Sequence, residues 1–240
     1  MAYLQVDPQV SNQGNLTMES SYRFDQSLRE LISWNLNQHD VWELDRAGLK
    51  HAAVAFTLVE CSEPANMGNI PHPAGSCDQA AFILTTRATE LSSHAGQRAY
   101  PGGRMDQGET VEQAALRELE EEVGLSLDAS RVLGRLDDYA TRSGFVITPI
   151  VVWGGKDIHL IPNPDEVAQI HRIPLSELVR EDAPILDSIA ESEHPVLKMP
   201  LGDDWFAAPS AVIAYQFREV ALLGRNTRVA HYEQPYFAWT

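Results

Sequence analysis

An α+β fold is what the sequence predicts, and three observations point to it. Apolar or β-branched-rich runs of strand length recur at 52–59, 80–85, 132–139 and 145–152. Two other stretches space their apolar residues as a helix does. Phe24, Leu28, Leu31 and Ile32 stand at i, i+4, i+7 and i+8, and Ala115, Leu116, Leu119 and Val123 line a second helical face. Finally, no repeat, low-complexity tract or composition break divides the folded part, so strands and helices share one unit.

In chain order, residues 1–20 are polar and aperiodic and read as a disordered tail. Residues 21–49 form an N-terminal extension whose helix, from Phe24 to about Asn37, is expected to pack on the main domain over 50–240. Ala52 to Val59 reads as a buried strand, and 62–76, with three Pro and two Gly, as a surface loop. Ala80 to Thr85 resumes as a strand. Thr110 and Gln113 have the spacing of a capping box, and Gly124 is the residue on which such a helix stops. The runs 132–139 and 145–152 follow as strands joined by a turn at 141–144. A strand begins in 163–170, and Pro174 to Leu178 opens a short helix. Residues 181–208, rich in Asp, Glu and Pro, read as irregular. A helix then runs from Pro209 or Ser210 to about Leu223, stopped by Gly224, and 228–239 looks strand-like. The aromatic residues gathered between Trp205 and Trp239 point to core or subunit-interface packing, with base stacking against a ligand as the alternative, and a homodimer is a candidate state.

Composition bounds the function. With 240 residues, 44% hydrophobic and 22% charged, the chain is an ordinary globular protein. A net charge of −16, from 34 acidic against 18 basic residues, argues against long nucleic acids, which need a basic footprint. A small polyphosphate stays compatible, because divalent ions invert the local field. The Met1 region lacks a basic start followed by an apolar run, and no apolar stretch has membrane-spanning length. No membrane partner and a cytoplasmic location are expected. Cys61 and Cys77, the two cysteines, are then expected to be thiols.

The chemistry concentrates on the second helix. Glu118, Glu121 and Glu122 fall at i, i+3 and i+4, on an arc of about 100°. Clustered carboxylates repel unless cations neutralise them, and hard oxygen ligands suit Mg²⁺ or Mn²⁺. A glutamate-rich helix alone is most often plain solvated surface. Arg117 and Glu109 argue otherwise, since a merely acidic face has no use for an arginine behind its carboxylates and a glutamate to hold that arginine.

From Gly103 to Leu125 the chain resembles the Nudix box at every fixed position: Gly103, Glu109, Arg117-Glu118, Leu119, Glu121-Glu122, Gly124 and Leu125. Seven fixed identities at about one in fifteen each make a chance match on the order of one in 10⁸ per start position. The resemblance implies an α/β/α sandwich with a mixed β-sheet and metal-dependent hydrolysis of a nucleoside diphosphate derivative. Carried over by position, Glu118 and Glu122 are direct metal ligands, the Gly103 carbonyl is an additional one, and Glu121 is a ligand or the general base. Glu166 is a second candidate for the base, while Arg117 and Glu109 support the ligands.

Just upstream, Leu84-Thr-Thr-Arg87-Ala88, His94, Gly96 and Tyr100-Pro-Gly-Gly resemble the coenzyme A pyrophosphatase branch of that family, as does Ser143 to Pro149. Ser92 stands where the branch usually has a second arginine, and Tyr100 where it has Phe. This implies cleavage of coenzyme A or its thioesters to 4′-phosphopantetheine and adenosine 3′,5′-bisphosphate. The alternatives are a Nudix hydrolase acting on ADP-ribose, dinucleotides or nucleoside triphosphates, and a non-catalytic nucleotide-binding module. The intact carboxylate cluster speaks against the last. Arg87, Arg98 and Arg142 are candidates for the substrate phosphates. His94 is a further substrate-binding candidate, although a histidine in such a setting is more often structural.

Overall fold

The computed structural model describes residues 22–45, 48–61, 67, 69–70, 78–89 and 96–236. The tail at 1–20, most of the loop at 62–76, Cys77, Ser92, His94 and the last residues of the aromatic segment lie outside them.

Helix α1 (Gln26–Gln38) is capped by Asp25, whose carboxylate accepts from the Leu28 N–H at 3.0 Å. Its apolar stripe of Leu28, Ile32 and Leu36 is buried, and Phe24 just ahead stacks on Trp153 with ring centroids 4.0 Å apart. The extension therefore shares the core rather than hanging from it.

The core is a mixed sheet. Strands β1 (Lys50–Glu60), β2 (Ala80–Arg87), β3 (Arg98–Ala99), β4 (Gly102–Arg104), β5 (Val132–Arg135), β6 (Tyr139–Ala140), β7 (Phe145–Gly155) and β8 (Val167–Pro174) belong to it. The order is β3-β2-β1-β7-β5, with β4 on β1, β6 on β7 and β8 on β2. Among the described residues β1 and β7 are its parallel pair, from Lys50 opposite Phe145 onward.

Strand alternation splits the apolar residues between two faces. Ala53, Ala55, Val59, Ala81 and Ile83 pack against helix α2 (Val111–Val123). Phe56, Leu58, Phe82 and Leu84 face the other way, onto α1 and helix α3 (Ser210–Phe217). There Phe56 stacks on Phe217 at 4.1 Å. Helices on both faces make the expected sandwich. No helix among the described residues is long and apolar enough to cross a membrane.

Three expectations need correction. The run 132–139 is interrupted between β5 and β6, with a register shift between Val132 and Gly134. Residues 181–208 are not irregular: β9 (Ile185–Asp187), β10 (Val196–Leu201) and β11 (Asp204–Ala207) form a three-stranded antiparallel sheet in the order β11-β10-β9. Buried Val196, Leu197, Met199 and Leu201 give β10 its drive, hidden in the sequence by flanking Pro and acidic residues. Conversely, the part of 228–239 that is described is not a strand, and its bridge is Glu233 to Val196. Both edges of β10 are already taken by β9 and β11, which leaves it little ladder to join. The helix from Ser210 does run to Leu222, its last turn widened to a π-helical one.

Candidate active site

Local sequence places the carboxylates. Thr110 Oγ1 accepts from the Gln113 N–H at 3.3 Å while Gln113 Oε1 accepts from the Thr110 N–H at 2.9 Å, so both halves of the capping box form. Gly124 ends α2 with φ of 71°, a left-handed turn that a side chain would strain. Between these ends, Ala114, Ala115, Leu119 and Val123 pack on the sheet and turn Glu118 and Glu122 inward, 9% and 3% exposed.

The third carboxylate arrives from far along the chain. The Ile161 and Asn163 N–H groups donate to the Val123 and Glu122 carbonyls, each at 2.9 Å, lashing the segment before β8 to the last turn of α2. A tight turn follows, with the Glu166 N–H on the Asn163 carbonyl at 3.0 Å. Glu118, Glu122 and Glu166 thereby bring carboxylate oxygens within 4.8 Å of one another. Gly103 closes the cradle, since a Cβ there would fall 2.3 Å from Glu118 Oε1. Glu121 does not join this trio; its carboxylate is half exposed and bound by Arg117.

Arg117 spreads its guanidinium over four acceptors. Nε and Nη2 fork onto Glu109 at 2.7 and 3.1 Å, Nη1 donates to Glu118 at 2.8 Å and to Glu121 at 3.0 Å, and Nη2 reaches the Arg104 carbonyl at 3.0 Å. A lysine offers no planar fork for this. Arg117→Lys is therefore expected to weaken divalent-ion affinity by about 10- to 100-fold in titration. Equal affinity in parent and variant would remove Arg117 from the support of Glu118.

Burial pushes the Glu122 carboxyl up to about 8, with Arg87 opposing and the Glu118 and Glu166 charges adding to the rise. Glu118 is also raised by burial, against the pull of Arg117. An all-oxygen donor set of three carboxylates, two of them buried, fits Mg²⁺ or Mn²⁺.

Beside Gly103 opens a cleft of about 560 Å³, walled by β1, β4 and β7 on one side and residues 204–210 on the other. Arg87, Arg98 and Arg104 all line it, but in different states. Arg98 is engaged by Asp204 and by the Trp205 carbonyl at 2.6 Å. Arg142, outside the lining, forks onto Glu233. These two expected phosphate contacts are thus held within the protein. Arg87 has no carboxylate within ion-pair distance among the described residues, and its Nε is buried without a partner. Arg104, missed in the sequence, lies over the Phe145 ring at 5.2 Å and likewise has no ion-pair partner among the described residues. Its signal was its place directly after the Gly-Gly pair. Tyr100, buried, donates its hydroxyl to the Ser210 carbonyl at 3.2 Å, a bond that a phenylalanine would lack.

Against known proteins, the family model described as "NUDIX domain" matches residues 76–191. The chain is 35% identical over 175 residues to the uncharacterized Nudix hydrolase NudL of Yersinia enterocolitica, a match covering 72% of this chain and 76% of that protein. It is 39% identical over 105 residues to Nudix hydrolase 3 of Caenorhabditis elegans, covering 42% of this chain and 44% of that one. A match to Klebsiella pneumoniae NudL, 40% identical over 103 residues, covers 42% of this chain and 54% of the relative. The chain thus spans about half the length of these last two relatives. In structure it is similar to a MutT/nudix family protein of Enterococcus faecalis, with a TM-score of 0.50 at 20% identity over 81% of this chain and 70% of that one, a likeness of fold.

Proposed function

Because this chain belongs to the Nudix family, we propose that it hydrolyses the diphosphate linkage of coenzyme A or its thioesters, giving 4′-phosphopantetheine and adenosine 3′,5′-bisphosphate. The observation that carries the hydrolytic reading is the trio of Glu118, Glu122 and Glu166, the first two buried and the third half-buried, next to a cleft bearing two arginines without ion-pair partners among the described residues. The substrate reading is supported by position: Arg87, Tyr100, Gly102 and Gly103, which belong to the resemblance to the coenzyme A branch, line the cleft.

Glu118, Glu122 and Glu166, with the Gly103 carbonyl at hand, would hold a Mg²⁺ or Mn²⁺ ion, which would neutralise charge on the diphosphate oxygens when bound. Arg87 and Arg104 bind and orient the diphosphate by charge-assisted hydrogen bonds. Arg117, steadied by Glu109, fixes the Glu118 carboxylate and occupies Glu121 as a support. Water attacks one phosphorus of the diphosphate as the bridging P–O bond breaks and the other phosphate leaves with its electron pair, and a Glu166 carboxylate oxygen takes the proton of the water, Glu166 being the least buried of the trio.

The test compares kcat/KM for coenzyme A, dephospho-coenzyme A and ADP-ribose with Mg²⁺ present. Coenzyme A is expected to be the best of the three. ADP-ribose favoured by about tenfold, or roughly 1.4 kcal/mol of transition-state stabilisation, would replace it with the broader dinucleotide and ADP-ribose reading. No turnover of any diphosphate would point to a non-catalytic nucleotide-binding module.

A further inference from the structure

The cleft wall that no box residue explains is the small C-terminal sheet. On β11, Phe206 turns into the core at 3% exposure while its neighbour Trp205 turns outward at 39%, as strand alternation requires. Trp205 lines the cleft that also contains Arg87, Arg104 and Gly103. Its indole is braced: the Lys198 ammonium sits 3.9 Å from the ring centroid and is itself tied to Asp187.

The backbone beneath the ring is braced too. Arg98 Nη1 donates to the Trp205 carbonyl, Nη2 to Asp204, and the Trp205 N–H donates to Asp204 Oδ1 at 2.8 Å. Ser210 Oγ in turn donates to the Arg98 carbonyl at 3.1 Å. Core strand β3 thus grips both ends of the 204–210 wall. A lone exposed aromatic needs no explanation. One clamped at backbone and ring, in the same cleft as two arginines suited to phosphates, does.

We propose that Trp205 is the platform on which the nucleobase of the substrate stacks, with Arg98 and Asp204 as its positioning residues. Stacking a planar base on an indole face is tolerant of base identity and costs the protein no reorganisation when the ring is already held. The proposal deepens the reading above and rests on the substrate being a nucleotide. It also gives the C-terminal sheet a task within the site.

The test measures binding rather than turnover. AMP and ribose 5-phosphate, which lacks the base, are titrated by calorimetry without metal into the full-length protein, Trp205→Leu and Trp205→Phe. Leu keeps apolar bulk but has no aromatic face, so folding is expected to survive, with circular dichroism as the check. Trp205→Ala is the second variant should Leu disturb the fold. AMP binding is expected to weaken about tenfold or more in Trp205→Leu and less than about threefold in Trp205→Phe. Ribose 5-phosphate should bind all proteins alike. Equal AMP affinity in parent and Trp205→Leu, an equal loss for ribose 5-phosphate, or no AMP binding by the parent would each overturn the platform. Diphosphate hydrolysis is assayed on the same samples, so that its absence in the parent sinks the hydrolase reading while the AMP comparison still decides the platform.

Discussion

Glu122→Gln is expected to abolish diphosphate hydrolysis, by roughly 10³-fold or more, while leaving the metal-free protein at least as stable as the parent. Both halves follow from one fact, the burial of a carboxylate at 3% exposure among like charges. The carboxyl is raised to about 8 in the folded protein, against about 4.3 in an unfolded chain. Between those pH values the folded protein keeps a proton that the unfolded chain has released, so stability falls as pH rises through that window. Below it the penalty vanishes. Glu118, raised for the same reason, adds in the same direction. In chelator, the parent should therefore melt higher at pH 5 than at pH 8, and Glu122→Gln should flatten that slope. Added Mg²⁺ at pH 8 should raise the parent's melting temperature and leave that of Glu122→Gln nearly unmoved. A Glu122→Gln protein that melts below the parent at pH 8 in chelator, yet turns over normally when folded, would show the carboxylate to be structural.

The largest effect on stability is expected from Asp137→Ala, a loss of about 3–5 kcal/mol in urea denaturation. Asp137 is 2% exposed and gathers four donors from three parts of the chain. His39 Nε2 at 2.9 Å, the Trp42 N–H at 2.8 Å and Arg228 Nη1 at 2.8 Å reach Oδ1, and Gln216 Nε2 at 2.7 Å reaches Oδ2. Burial works against the charge, but the bonds from His39, Trp42, Arg228 and Gln216 outweigh it and hold the carboxyl down at about 2. A depressed carboxyl contributes stability above its unfolded value and loses it as pH falls toward 2. Removing the acceptor strands the donors of the segment just after α1, of α3 and of the segment around Arg228 in the interior. A loss below about 1 kcal/mol would mean that water or rearrangement satisfies them.

What the sequence determined by itself is the part of the site built on helical spacing. The capping box, the stop at Gly124 and the inward turn of Glu118 and Glu122 depend on neighbours within a few residues, and 3.6 residues per turn fixes their relation. The strands at 52–59, 80–85 and 145–152 were equally legible, because their apolar runs are long enough to be buried on both faces. The membership of the trio was not. Glu121 has the right spacing but is half exposed on Arg117, whereas Glu166 enters because the loop before it hydrogen-bonds to the end of α2.

Charge pairing was still less legible. Arg98, Arg142 and Asp137 find their partners about 90 to 110 residues away, and nothing in a local pattern says which cation a distant carboxylate will claim. The same holds for β9 to β11, whose short apolar core is decided by α3 packing on it. Local spacing sets where a side chain points; only the closed tertiary structure decides which arginines are taken by a carboxylate and which, among the described residues, are not.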